Sequence, residues 1–485
     1  MNFKMIERII SRIIIIEALF MIPALLISIF SGETKAMYGF LLTYAVMAPI
    51  ILFTYFHSKN TKKGFYAKDG LVCVGLCWFI ISLLGCLPFY FSGEIPSFID
   101  SLFEMVSGFT TTGASVVADV EALSKSILYW RSFSHWLGGM GVLVFVLAVT
   151  SFNGRNNGYT VHLLRAESPG PSVSKIVPRM RDTAKILYMM YVILTVLNFV
   201  LLLFGGMSVF EAVCTAFGTA GTGGFGIKNS SIAGYNSYIQ IVTTVFMILF
   251  GVNFTCYYFM LLKNFKAILK NEELQLYAGI IIGSVIAIAI NIRKMYPTVG
   301  EAVRHSAFQV ASIITTTGYS TTDFDLWPSF SKTIILFLMR VGACAGSTGG
   351  GFKCGRVLLV FKVLRRNIKK LIHPQRIQVV TIDKEVVNES VLENANAYLA
   401  AYVIILVLSI LIISIDDFSI TTNLSAVLSC FNNIGPGLEK VGPTCNFSSY
   451  GVLSKCVLIF DMLAGRLEIF PMLALFSKSS WTRKK

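Results

Sequence analysis

Four short polar runs, each closing on a glycine, interrupt a chain otherwise dominated by apolar sequence. They read Thr110-Thr111-Thr112-Gly113, Ala220-Gly221-Thr222-Gly223, Thr315-Thr316-Thr317-Gly318 and Asn432-Asn433-Ile434-Gly435. Such runs offer uncharged carbonyl and hydroxyl oxygens, the groups that replace the water shell of a cation. A glycine at each lets the carbonyls converge, because it takes backbone conformations closed to residues with a Cβ. Each run follows a short apolar segment and precedes a long hydrophobic one. Irregular backbone at membrane depth survives only when buried in protein or lining water. Four such loops therefore predict a ring of oxygens around one axis, which is an ion pore. The alternative, helix-linking turns in a plain bundle, fits poorly with two identical Thr-Thr-Thr-Gly copies in matching places.

The elements that must position these loops are transmembrane helices. The chain has 485 residues, is 55% hydrophobic and 14% charged, and has a mean hydropathy of +0.70. Several windows exceed the ~18 apolar residues of a spanning helix. Ten spans are expected, at residues 9–30, 38–57, 70–91, 130–151, 184–205, 237–262, 275–292, 330–360, 397–415 and 452–477. Between them, residues 97–109, 207–219, 300–314 and 421–431 are apolar but too short to cross, as re-entrant helices are. The N-terminus, with Lys4, Arg8 and Arg12 before an apolar run to Phe30, is read as a retained anchor helix. The expected fold class is an all-α polytopic membrane protein with two extra leading helices and four tandem helix–pore-helix–filter–helix repeats around one pore. The expected boundaries are 1–68 for the leading pair and 69–182, 183–271, 272–392 and 393–485 for the repeats.

The net charge of +15 is distributed between spans on alternate sides, which excludes nucleic acid as its explanation and sets orientation instead. Lys59, Lys62, Lys63, Lys68, Arg155, Arg165, Arg179, Arg181, Lys263, Lys266, Lys270, the run from Lys362 to Arg376, and Arg483–Lys485 fall on one face, taken as cytoplasmic with both termini. Arg293, Lys294 and Arg304 are exceptions. The opposite face carries Glu94, Asp100, Asp119, Glu121, Asp323, Asp325, Asp416 and Asp417, which would raise cation concentration at the outer mouth. The ten cysteines lie mostly in apolar settings, lack a zinc spacing and read as packing residues. The five histidines are scattered, with His135 expected at the interface. No catalytic constellation or nucleotide fingerprint appears, so the chain is read as a non-enzyme that binds no nucleotide itself.

Two further features carry physical content. Arg466 lies inside the last apolar span, where a charge costs about 2.5–3.5 kcal/mol even on lenient scales. It is expected to face water or a carboxylate, Asp461 or Glu468. The run Gly342-Ala343-Cys344-Ala345-Gly346-Ser347-Thr348-Gly349-Gly350-Gly351 breaks the eighth span, since each glycine costs roughly 0.8–1.0 kcal/mol of helix propensity. Close helix packing is the competing reading of that run.

The stretch Ser107–Ser115, the run His135-Trp136-Leu137-Gly138-Gly139-Met140-Gly141, Thr222–Phe225, Thr316–Ser320, Ala345–Gly351, Asn433–Leu438 and Gly465–Glu468 together resemble the Trk/Ktr/HKT superfamily of potassium transport proteins, over nearly the whole chain. Length and leading helices make it similar to the TrkH-type branch rather than the shorter KtrB type. The resemblance implies that the four runs are a potassium filter, glycine at position 113 going with potassium and serine with sodium leakage. It implies a gate at Gly346, Ser347, Thr348, Gly349, Gly350 and Gly351, with Lys353 and Arg356 following, and Arg466 below the filter near the pore axis. It also implies a homodimer in the bacterial inner membrane, with potassium as the transported ion. Cytosolic Rossmann-fold regulatory subunits of the TrkA/KTN type, binding NAD or ATP, would dock on residues 153–183 and 361–392. A symporter obligatorily coupled to protons or sodium is the alternative mechanism.

Overall fold

The structure, a computed structural model, describes residues 3–57, 66–139, 141, 180–375 and 378–481. Met140, most of the expected docking stretch 153–183, and the basic residues at 59–63, 155–179, 376 and 483–485 lie outside the described residues.

Among the described residues the regular structure is helical, apart from a hairpin of two-residue strands, Thr381–Ile382 with Glu385–Val386. Six described helices are long and apolar enough to cross a membrane. Two of them, Phe3–Phe30 and Thr34–His57, pack on each other at the N-terminus, where the Tyr44 hydroxyl donates to the Ala18 carbonyl at 2.8 Å. Four short helices then recur: Phe98–Phe109, Val209–Gly221, Val299–Ile314 and Ile420–Phe431, of 12, 13, 16 and 12 residues. At 1.5 Å per residue none reaches across a bilayer.

One local signal starts all four. Ser97, Ser208, Thr298 and Ser419 each accept the backbone N–H three residues on, at Asp100, Glu211, Glu301 and Thr422. This is an N-cap hydroxyl, in three cases followed by an acid that complements the helix dipole. The C-terminal halves are buried, so each helix carries its negative dipole end inward. The long helices around them keep large apolar side chains exposed, among them Phe53, Val196, Ile282, Ile290 and Leu411, as a lipid-facing surface requires.

The helices after the second, third and fourth loops are each broken. The sixth expected span is two helices, Ser237–Phe250 and Phe254–Leu261, bent by 90°. The bend leaves Phe250 and Gly251 carbonyls outside the helical ladder, and the loop from the next repeat takes them up: Cys344 N–H donates to Gly251 at 3.1 Å. The eighth becomes Ser329–Val341, an irregular stretch, and Cys354–Ile372. The tenth breaks between Arg466 and Phe470, where Glu468 and Ile469 take left-handed φ of 56° and 67°. The cores interlock around the ring. One unites the leading helices with the first and fourth units, another joins the second to Phe308 and Tyr319 of the third, and a further one joins the third to Ile434 and Leu438 of the fourth.

Candidate ion-conducting site

Each short helix ends in a loop of one shape. Thr111, Thr222, Thr316 and Asn433 have φ of 56°, 54°, 59° and 56°, and Gly113, Gly224, Gly318 and Gly435 follow two residues later at 80°, 74°, 86° and 102°. Between them, the N–H of Thr112, Gly223, Thr317 and Ile434 donates to Ser107, Gly218, Ser312 and Ser429 at 2.8–2.9 Å. This repetition fixes the register. The second loop is Gly221-Thr222-Gly223-Gly224, one residue later than the Ala220–Gly223 run expected from sequence. Ala220 belongs to the helix Val209–Gly221, and Gly224 corresponds to Gly113. The misreading has a simple cause: three glycines lie within four positions, so spelling alone could not say which one turns.

The four loops meet. A Cβ on Gly113 would collide with the carbonyl oxygen of Gly223, one on Gly224 with Thr317, and one on Gly318 with Ile434. One on Gly435 would lie 2.9 Å from the Thr112 carbonyl, which closes the cycle. Every glycine thus abuts the carbonyl of the residue at the preceding position in the next loop. That contact is open only to glycine, both for space and for positive φ. The same four glycines line one cavity of about 170 Å³, with Ser115, Arg131, Asn229, Ser320 and Asn446 among its walls. Gly223 is not on that wall.

Most acidic residues expected at this mouth have structural tasks. Glu94 accepts from Ser124 N–H at 2.9 Å, Asp416 from Gly451 N–H at 2.7 Å, and Asp100 pairs with the buried Lys455 at 2.6 Å. At the rim the Asn229 amide, donating to Asp119 at 2.7 Å, holds that carboxyl below its ordinary range.

Behind the loops are braces that sequence reading did not find. In loops one and three the threonine hydroxyls pair, Thr110 with Thr112 at 2.8 Å and Thr315 with Thr317 at 2.7 Å. Asn433 donates to the Thr112 hydroxyl at 3.0 Å and to the Met462 carbonyl at 2.9 Å, tying loop four to loop one. Glu104 and Arg131 form an ion pair of 2.5 Å with 0% and 3% of their side chains exposed. The signal available was a lone acid and a lone base in two apolar segments, which must meet if both are buried. His135, expected at the interface, is fully buried; its Nδ1 donates to Gly108 at 2.8 Å and its Nε2 accepts from Phe225 N–H at 3.2 Å.

At the opposite end of the ring lies the irregular stretch 342–353. Gly350 N–H donates to the Thr316 hydroxyl at 2.6 Å. A Cβ on Gly349 or Gly350 would come within 2.9 Å of the Thr315 carbonyl or 2.7 Å of the Asn432 carbonyl. Gly346 accepts from Phe254 N–H at 3.1 Å, Ser347 caps back to Cys344 at 2.7 Å, and Gly351 has φ of 78°. The stretch is therefore pressed against the first two residues of loops three and four, not packed as a helix. Glu273 accepts Ala345 N–H at 2.7 Å at its start, and Lys353 donates to the Gly349 carbonyl at its end. Arg466 reaches it from the last unit, donating to Thr348 at 2.9 Å, to Gly139 at 2.8 Å and to Gly138. The carboxylate partners expected for Arg466 are engaged elsewhere: Glu468 pairs with Arg356, and Asp461 accepts from Ser409 at 2.8 Å. Backbone carbonyls of the irregular stretch and of the end of the helix Lys125–Gly139 are among the groups that solvate the guanidinium.

A family model, TrkH, described as cation transport protein, matches residues 39–278 and 280–483. The Trk system potassium uptake protein TrkH of Escherichia coli (strain K12) is 33% identical over 493 residues, covering 99% of this chain and 100% of the relative. The protein of that name in Halomonas elongata is 31% identical over 491 residues, covering 100% of both. The crystal structure of the potassium transporter TrkH from Vibrio parahaemolyticus aligns with a TM-score of 0.87 at 30% identity, covering 99% of this chain and 100% of that one.

Proposed function

We propose that this chain, a multi-pass potassium uptake transporter that belongs to the TrkH family of cation transport proteins, passes potassium through a channel-like filter made of its four loops. The observation that carries the reading is the closed cycle of glycine against carbonyl. Potassium entering the vestibule exchanges hydration water for carbonyl oxygens beside glycines 113, 224, 318 and 435. The C-terminal ends of four short helices face the same centre, each supplying a partial charge of about −0.5 that favours a partly dehydrated cation.

The stretch 346–351 closes the inner end as a gate, held by Lys353 and Arg466. In this reading the filter opens outward, both termini are cytoplasmic, and the protein is a homodimer in the bacterial inner membrane. A cytosolic nucleotide-binding subunit docks on the basic face, including 361–392, and moves the gate through Lys353, Arg356 and their partners. The unit boundaries 69–182, 183–271, 272–392 and 393–485 follow the same scheme.

Expression in cells lacking their own potassium uptake is expected to restore growth at low potassium, with rubidium competing and sodium not. Absence of potassium-dependent rescue, with the protein present in the membrane, would refute the proposal. A coupled carrier is the second reading, and the buried Asp461 is the observation that favours it. Reversal potentials that follow pH or sodium, rather than potassium alone, would support that alternative.

A further inference from the structure

Loop two differs from the others in what holds it. Loops one and three are stiffened from within by their paired threonine hydroxyls. The matching positions in loop two are Gly221 and Gly223, which have no side chain and the widest backbone freedom. Its support comes from the helix Lys125–Gly139 of the first unit, through two residues one turn apart. His135 accepts the Phe225 N–H at 3.2 Å, and its ring fills the space that a Cβ on Gly223 would need. Arg131 donates to the Gly226 carbonyl at 3.0 Å and lies 3.6 Å over the Phe225 ring. Glu104, on the first short helix, fixes Arg131 at 2.5 Å and also accepts Val116 N–H at 2.9 Å.

We propose that Glu104, Arg131 and His135 are positioning residues that set the geometry of loop two, and through it the ion preference, in place of the paired hydroxyls which that loop lacks, where the Thr222 hydroxyl donates only back to the Gly221 carbonyl at 2.6 Å. The inference rests on reading the four loops as a filter. Gly223 offers its carbonyl to Gly113, so a loop two free to shift opens the ring on one side and relaxes the fit to potassium. Arg131 also lines the vestibule, and Glu104 holds its charge against the wall, out of the path of incoming cations. Freed from Glu104, that charge would stand at the mouth unpaired.

The test uses the full chain reconstituted in liposomes, with Arg131→Gln, Arg131→Lys and His135→Ala. The readout is the potassium-over-sodium permeability ratio from reversal potentials, which depends on the open pore and not on protein yield. Arg131→Gln and His135→Ala are expected to lower the ratio about tenfold, the scale of losing one charged or buried hydrogen bond. Arg131→Lys keeps the charge without the planar fork and is expected to fall between. A wild-type ratio in all three, with only less protein recovered, would reduce these residues to a structural role and overturn the inference. Gly113→Ser serves as reference. If it also leaves the ratio unchanged, the filter reading itself fails; if it lowers the ratio while the other three do not, only this inference fails.

Discussion

Gly224→Ala is expected to abolish the preference for potassium over sodium, while Gly283→Ala leaves flux and selectivity within about twofold of the parent, as usual for a site where nothing is touched. The argument is geometric. Gly224 has φ of 74°, and its missing Cβ points into the Thr317 carbonyl. An alanine there carries roughly 1–2 kcal/mol of left-handed strain and must also push that oxygen aside. Thr317 precedes Gly318, which abuts Ile434, so the displacement passes to the next contact in the cycle. At about 1.4 kcal/mol per tenfold, the strain alone equals a discrimination of one order of magnitude, before the collision is counted. Gly283 has nothing within 4 Å of its would-be Cβ. Rubidium and sodium flux into liposomes measures both variants. A potassium-selective Gly224→Ala would remove that glycine from the ring.

Arg466→Ala is expected to raise potassium flux per molecule in the absence of any regulatory partner. The guanidinium holds Thr348 of the irregular stretch and the Gly138 and Gly139 carbonyls in one cluster. A hydrogen bond from a charged group contributes about 1.5–3 kcal/mol, so losing the bond to Thr348 shifts the stretch toward release by roughly 10- to 100-fold. The same change removes a cation from beneath the ring, which adds to the gain rather than offsetting it. Single-channel open probability is the measurement. An open probability at or below that of the parent would mean that Arg466 does not restrain the gate. Arg466→Lys is expected to recover only part of the restraint, since an ammonium lacks the fork that reaches three carbonyls.

The architecture was legible in the sequence because lipid leaves few options: long apolar runs must span, and apolar runs of 12–16 residues must turn back. The four short helices sit within two residues of their expected bounds. What sequence could not supply was register and partnership. Among the glycines at 221, 223 and 224, only the backbone identifies the one that turns. Arg466 looked for a carboxylate because composition lists charges, whereas broken helices expose carbonyls that no composition records. The 90° bend after Phe250 had a faint signal in Gly251 and Asn253, the cap residues on either side of the break, but a short polar interruption of the run 237–262 does not by itself show a bend, and the freed carbonyls are taken up by Cys344 and Thr348, remote in sequence. Glu104 and Arg131 were visible as stray charges in apolar segments, yet only the fold shows that they meet.

The central claim is that one axis runs through all four loops and that potassium sits on it. Anomalous diffraction from crystals grown in rubidium or thallium locates such an ion directly. The account predicts anomalous density on the axis, ringed by the carbonyls of residues 112, 223, 317 and 434. Density confined to other parts of the molecule, with none between those four oxygens, would contradict it.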